Sequence, residues 1–268
     1  EKTNNVRGDD LFKCTDLVID RTPSSGDFDE AEIWLTFLGD GGCRHSQLFG
    51  KLWFYTYPSS KQDGLTPGDC TFYGVKNGEV VAIPYSEVRA QRSWVFYTRE
   101  EFSSNIASYK RYKLGVFPKG LNLGFVYIGN STVSNGGFRF TTLRLNERVQ
   151  DYTLTYQDDK KTFRIVDRHL ANGYICHVTE GDFQGNILGM ENRVVTESAK
   201  YDGDYNDILC MIESNPRTIA PGEEVEIGNS GNKDPEEIAC KTSVGLYLFE
   251  DNYPYRGDFD FNDAVVQY

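Results

Sequence analysis

The chain is short of positive charge: 28 Lys and Arg stand against 40 Asp and Glu over 268 residues, a formal net charge of −12. Such a surface repels phosphate backbones and anionic headgroups, which excludes nucleic acid as an expected partner and disfavours a lipid surface. Long apolar runs are also missing. None reaches the roughly 18 to 20 residues of a spanning helix, so no membrane insertion is expected of this chain. Histidine is scarce, at 3, and methionine scarcer, at 2. No G-x-S-x-G nucleophile elbow is present, and the run from Gly39 and Gly41 has Arg44 where a dinucleotide fingerprint needs its last glycine. The six cysteines, Cys14, Cys43, Cys70, Cys176, Cys210 and Cys240, contain no C-x-x-C pair. That argues against a structural zinc cluster, whose ligands would have to be Cys43 with His45 and Cys176 with His177. Buried thiols or a disulfide or two are the expectation, with the pairing left open.

What the chain does have is aromatic side chains and turn formers: 17 Tyr, 17 Phe and 3 Trp beside 26 Gly and 9 Pro. Short runs rich in β-branched and aromatic residues recur between Gly, Asn, Asp and Pro. Strands are predicted at 32–38, 52–57, 80–83, 94–97, 123–128, 138–145, 152–156, 162–166, 174–178, 208–212, 244–249 and 259–268. Helical periodicity is poor, and the best helix candidate runs from Glu100 to Lys113, where Phe102, Ile106 and Tyr109 share a face. The fold class this predicts is all-β, an antiparallel β-sandwich of jelly-roll type with at most one or two short helices. The expected organisation is a polar N-terminal segment (1–24), a sandwich domain (25–216), a Glu-rich linker (217–240) and a C-terminal piece (241–268). That last piece is either the start of a second domain or a hairpin packed on the first.

The acidic residues carry the most specific signal. Asp202-Gly-Asp204-Tyr-Asn206-Asp207 and Asp258-Phe-Asp260-Phe-Asn262-Asp263 repeat one pattern, D-x-D-x-N-D, each followed by an apolar strand. Gly26-Asp27-Phe28-Asp29-Glu30, which shares four residues with Gly257 to Asp260, is a candidate for a degenerate third copy. In an extended chain the oxygens at i, i+2 and i+4 share one side and Tyr205, Phe259 and Phe261 the other. Those oxygens lie too far apart to converge on one ion unless the segment curls. Asp207 and Asp263 break the alternation, which predicts a turn or bulge there. Crowded carboxylates without basic partners repel, and a hard cation with oxygen ligands relieves the repulsion. The predicted cofactor is therefore Ca²⁺, with Asp202, Asp204, Asn206, Asp207, Glu250, Asp251, Asp258, Asp260, Asn262 and Asp263 as candidate ligands. Whether these form one site or two is open. An EF-hand is rejected because Asp207 stands where its loop requires Gly, although Glu213 falls at the twelfth position from Asp202. The plainer alternative is that the Asp and Asn residues cap turns through their own backbone.

At these motifs the chain resembles a group of exported bacterial cell-surface proteins, in which an uncharacterised β domain closing on a D-x-D-[YF]-N-D strand precedes an LruC-type domain. The first part of the resemblance rests on Glu32 to Phe37, Leu48 to Tyr57, Lys119 to Ile128 and Asp202 to Ile212; the second rests on Leu248 to Val265. The resemblance implies export, a β-rich fold and calcium binding. It also implies a fragment, since an LruC-type domain continues well past the place of Tyr268. No signal is visible at Glu1, and a removed signal or lipid anchor is compatible with that start.

The expected function is a calcium-binding, non-catalytic extracellular or cell-surface module for adhesion or surface structure, with an unidentified glycan or protein ligand. A carbohydrate-binding module is the alternative, for which Trp34, Trp53 and Trp94 are the probes, each with a core role as the plainer reading. A glycoside hydrolase using paired carboxylates ranks below it, since carboxylates are plentiful and discriminate nothing. His45, His169 and His177 read as solvated or structural. The triplets Arg7-Gly8-Asp9 and Arg256-Gly257-Asp258 are taken as chance products of a Gly- and Asp-rich chain.

Overall fold

Every strand pairing among the described residues is antiparallel. A computed structural model describes residues 16–20, 28–39, 52–61, 64–88, 90, 111–128, 137–155, 162–169, 172–180, 183–191, 205, 207–216, 219–221, 246–249 and 264–267. Along these run β1 (Leu17–Ile19), β2 (Glu30–Gly39), β3 (Leu52–Pro58), β4 (Thr71–Lys76), β5 (Glu79–Ile83), α1 (Tyr85–Val88), β6 (Arg111–Pro118), β7 (Leu121–Ile128) and β8 (Phe138–Phe140). They continue with β9 (Arg148–Thr155), β10 (Thr162–His169), β11 (Gly173–Glu180), β12 (Phe183–Met190), β13 (Ile208–Asn215), β14 (Ile219–Pro221), β15 (Leu246–Phe249) and β16 (Ala264–Gln267). The expected all-β sandwich is the observed one, and α1 is the sole α-helix among the described residues.

One sheet has the order β14-β1-β7-β3-β4-β5, with β8 also on β7; the other has the order β11-β12-β13-β2-β6. Alternation along the strands makes the core. Ile33, Leu35 and Phe37 of β2 and Ile208, Cys210 and Ile212 of β13 meet Leu17, Ile19, Phe54, Leu123 and Phe125 of the other sheet in one buried cluster. A second cluster lies on the opposite face of the first sheet, where Trp53, Tyr55 and Tyr57 join Phe72, Val126, Phe138 and Phe140. With apolar neighbours on both faces, β3 is buried at every position from Leu52 to Tyr57, which is why its sequence is a continuous aromatic run. Two separate pairs, β9 with β10 and β15 with β16, form two-stranded sheets.

Several expectations change. Arg111 to Lys113, placed at the end of a helix by periodicity, begin strand β6 and pair with Thr36, Leu35 and Trp34 of β2. An open sheet edge offers hydrogen bonds to a whole strand, which outweighs a weak helical pattern in a segment containing Ser and Asn. The rest of that helix candidate and the strand at 94–97 lie outside the described residues. The strand expected over 138–145 stops at Phe140 and turns into a 3-10 segment at Leu143–Leu145. Leu17–Ile19, inside the segment read as polar, is a strand held between β14 and β7, and β14 itself comes from the segment read as linker. Asn77 and Gly78, with φ of 53° and 83°, make the tight turn joining β4 to β5.

Candidate functional site

The first acidic motif enters the described structure at Tyr205 and Asp207, immediately before β13. Tyr205 is 2% exposed, so the aromatic of the motif is an anchor in the core as its alternation predicts. Its backbone is left-handed, with φ of 55°, a region that a residue with a Cβ occupies only when its surroundings impose it. That left-handed residue falls inside the motif.

Two contacts, one from β12 and one from the residue just after it, hold that conformation. The amide of Tyr205 donates to Oε1 of Glu191 at 2.7 Å, and the amide of Glu191 in turn donates to the carbonyl of Asn172 at 3.1 Å. The carbonyl of Tyr205 lies so close to β12 that a Cβ at Gly189 would stand 2.3 Å from it, so only glycine fits there. Glu191, 1% exposed, was not among the candidates; a single Glu after a strand carries no sequence signal for a role on a segment fourteen positions away. Asp207 is half-buried at the mouth of β13.

Asp202, Asp204, Asn206, Glu250, Asp251, Asp258, Asp260, Asn262 and Asp263 lie outside the described residues, as do Cys14, Cys43, Cys240 and Trp94. Among the described residues no group of three or more His, Cys, Asp or Glu is placed to hold a metal ion. Of the degenerate copy, Phe28 packs against the core, and Asp29 pairs with Lys119 at 3.7 Å while its carbonyl accepts from the Lys119 amide; Gly26 and Asp27 lie outside the described residues.

A buried polar cluster elsewhere in the described structure has no counterpart in the sequence motifs. Asp16, just ahead of β1, is buried, and its carboxylate accepts from the hydroxyls of Tyr57 at 2.6 Å, Thr141 at 2.8 Å and Thr142. Tyr55 extends the cluster, its oxygen 2.6 Å from Oγ1 of Thr142 and accepting from the Thr142 amide at 3.0 Å. Burial pushes the Asp16 carboxyl above the usual carboxylate range, opposed in part by the hydrogen bonds from Thr142, Tyr57 and Thr141. Burial likewise raises the Tyr55 phenol, and the negative charge on Asp16 raises it further. A lone Asp in a polar run looks like any solvated side chain, so a linear pattern carries no mark of this cluster.

The remaining probes resolve into structural parts. Trp53 is 1% exposed in the core and offers no ring face to a sugar. Trp34 lies on the outer face of its sheet beneath the Arg111 guanidinium, 4.3 Å from the ring centre, and its Nε1 donates to Glu32, which also pairs with Lys113. Arg111 closes this ladder through Glu213 at 3.2 Å, the residue at the twelfth position of the rejected EF-hand. Nδ1 of His169 donates to the carbonyl of Asn146 at 2.7 Å, which spends the nitrogen on structure. Cys70 and Cys210 are buried thiols; burial, aided by Asp16 and Asp69, pushes Cys70 up to about 12, and burial raises Cys210 well above its usual value. Neither is a reactive thiolate.

No helix among the described residues is long and apolar enough to cross a membrane. Comparison of the chain with protein-family models, with curated proteins and with solved structures finds no match in any of the three, so its chemistry is read from its own residues.

Proposed function

We propose that this chain is a calcium-binding, non-catalytic module of an extracellular or cell-surface protein, serving adhesion or surface structure. The observation that supports this reading is the left-handed, core-anchored Tyr205 inside the first D-x-D-x-N-D motif. A motif that only capped turns would have no need of a strained backbone held by a buried carboxylate and a mandatory glycine. With Tyr205 pinned, Asp202, Asp204, Asn206 and Asp207 would offer oxygens of the kind calcium takes. The second copy, with Glu250 and Asp251 near it, would offer the same set, as one site or two. Binding to the folded state alone would stabilise it by mass action.

Chelation tests this. Removing divalent ions with EDTA lowers the melting temperature by several degrees and calcium restores it, with uptake visible by titration calorimetry. Asp204→Asn together with Asp260→Asn abolishes both responses. An unchanged melting temperature with no heat of calcium binding overturns the proposal.

A further inference from the structure

Asp16 is a carboxylate shut inside the protein at the point where the first strand joins its sheet, and every group bonded to it among the described residues is a neutral hydroxyl. The groups facing it are themselves acids or neutral. Tyr55 and Tyr57 come from β3, Thr141 and Thr142 from the turn after β8, and Cys70 with Asp69 beside it from the end of the 3-10 turn at Pro67–Asp69. Lys61 is engaged at Asp69, 3.4 Å away. Among the described residues no basic side chain is an influence on Asp16.

The hydroxyls form a ring that closes on the carboxylate. From Oδ2 it passes to Thr142, then 2.6 Å to Tyr55, 3.5 Å to Thr141 and 2.8 Å back to Oδ1. With Asp16 ionised, Thr142, Thr141 and Tyr57 all turn their protons toward it, and Tyr55 donates to Thr142. With one proton added, the carboxyl donates to Thr142, Thr142 to Tyr55 and Tyr55 to Thr141, which still donates to Oδ1. The three donors favour the charge, yet in the ionised state the Tyr55–Thr141 contact has no hydrogen, and the added proton supplies one and closes the ring; burial of a charge with no cation bonded to it among the described residues outweighs the donors and favours the neutral state.

We propose that Asp16 and its hydroxyl ring form an acid-tightened latch, which docks β1 between β7 and β14 most firmly when Asp16 is protonated and loosens it as Asp16 ionises. The sign is opposite to that of a salt-bridged carboxylate. Because the folded protein holds the proton more tightly than the unfolded chain, the stabilisation is complete below the unfolded value, about 3.8, and is lost as pH rises through the folded one.

Thermal unfolding of the wild type and of Asp16→Asn, a permanently neutral stand-in, tests the latch from about pH 4 to about pH 8. The melting temperature of the wild type, taken relative to the variant, falls by roughly 2 to 4 °C or more across that range. A difference that stays constant or grows with pH overturns the proposal. Should the variant not fold, the wild type decides alone. Its Asp16 carboxyl, followed by carbon-13 NMR, titrates above the usual value or stays protonated, and amide exchange at Val18 quickens upon ionisation beyond the intrinsic effect of hydroxide. Titration at or below the usual value, or exchange that follows hydroxide alone, overturns it.

Discussion

Tyr57 shows how much one hydroxyl carries in this fold. Its ring belongs to the aromatic cluster and its oxygen donates to Asp16 at 2.6 Å, so Tyr57→Phe leaves the packing in place and removes a single donor. The expected cost is about 1 to 3 kcal/mol in urea unfolding, largest above the titration of Asp16, where the carboxylate is ionised and short of a partner, and smaller below it. Equal costs at both ends of the pH range would mean that the hydroxyl serves packing alone. At this scale the sequence was only partly legible. The burial of Tyr205 followed from alternation within the motif, but its left-handed backbone depends on Glu191 and on the missing side chain of Gly189, which only pairing of β12 with β13 brings near. Asp16 was invisible for a related reason: its partners are 41, 125 and 126 positions away.

Strands followed the same division. Where a strand buries one face or both, composition marks it, and β2, β3, β7, β10, β11 and β13 stand close to their predicted places. Strands whose order is supplied by their neighbours escaped notice. Short β1 has a partner on each side, with Val18 opposite both Ala220 and Asn122, although it sits in a polar stretch. Val18→Pro removes a ladder donor from an interior strand and is expected to cost about 3 kcal/mol or more by urea denaturation. A change near zero would return the segment to the polar tail that its composition describes. The β4–β5 hairpin carried a usable mark in Asn77-Gly78, the dipeptide whose two residues both take positive φ in the tightest hairpin turns.

For the molecule as a whole, the formal charge of −12 sets how it responds to ions. Dispersed charge responds to screening, so monovalent salt is expected to raise the melting temperature gradually with ionic strength. A calcium site responds to occupancy, so micromolar to millimolar calcium should raise it by more than sodium chloride of equal ionic strength. Superimposable curves would assign the whole effect to screening. The charge balance, the aromatic-rich composition and the paired D-x-D-x-N-D motifs are properties of the sequence alone, because each is a statement about local composition and period. They determined an antiparallel all-β protein with concentrated acidic motifs and no expected affinity for nucleic acid. The tertiary structure decided which polar residues the fold encloses, how β1 and β14 join the sheet, and why Tyr205 bends. Each of these depends on contacts between residues distant in the chain, and a linear pattern carries no information about which distant groups will share one dry interior.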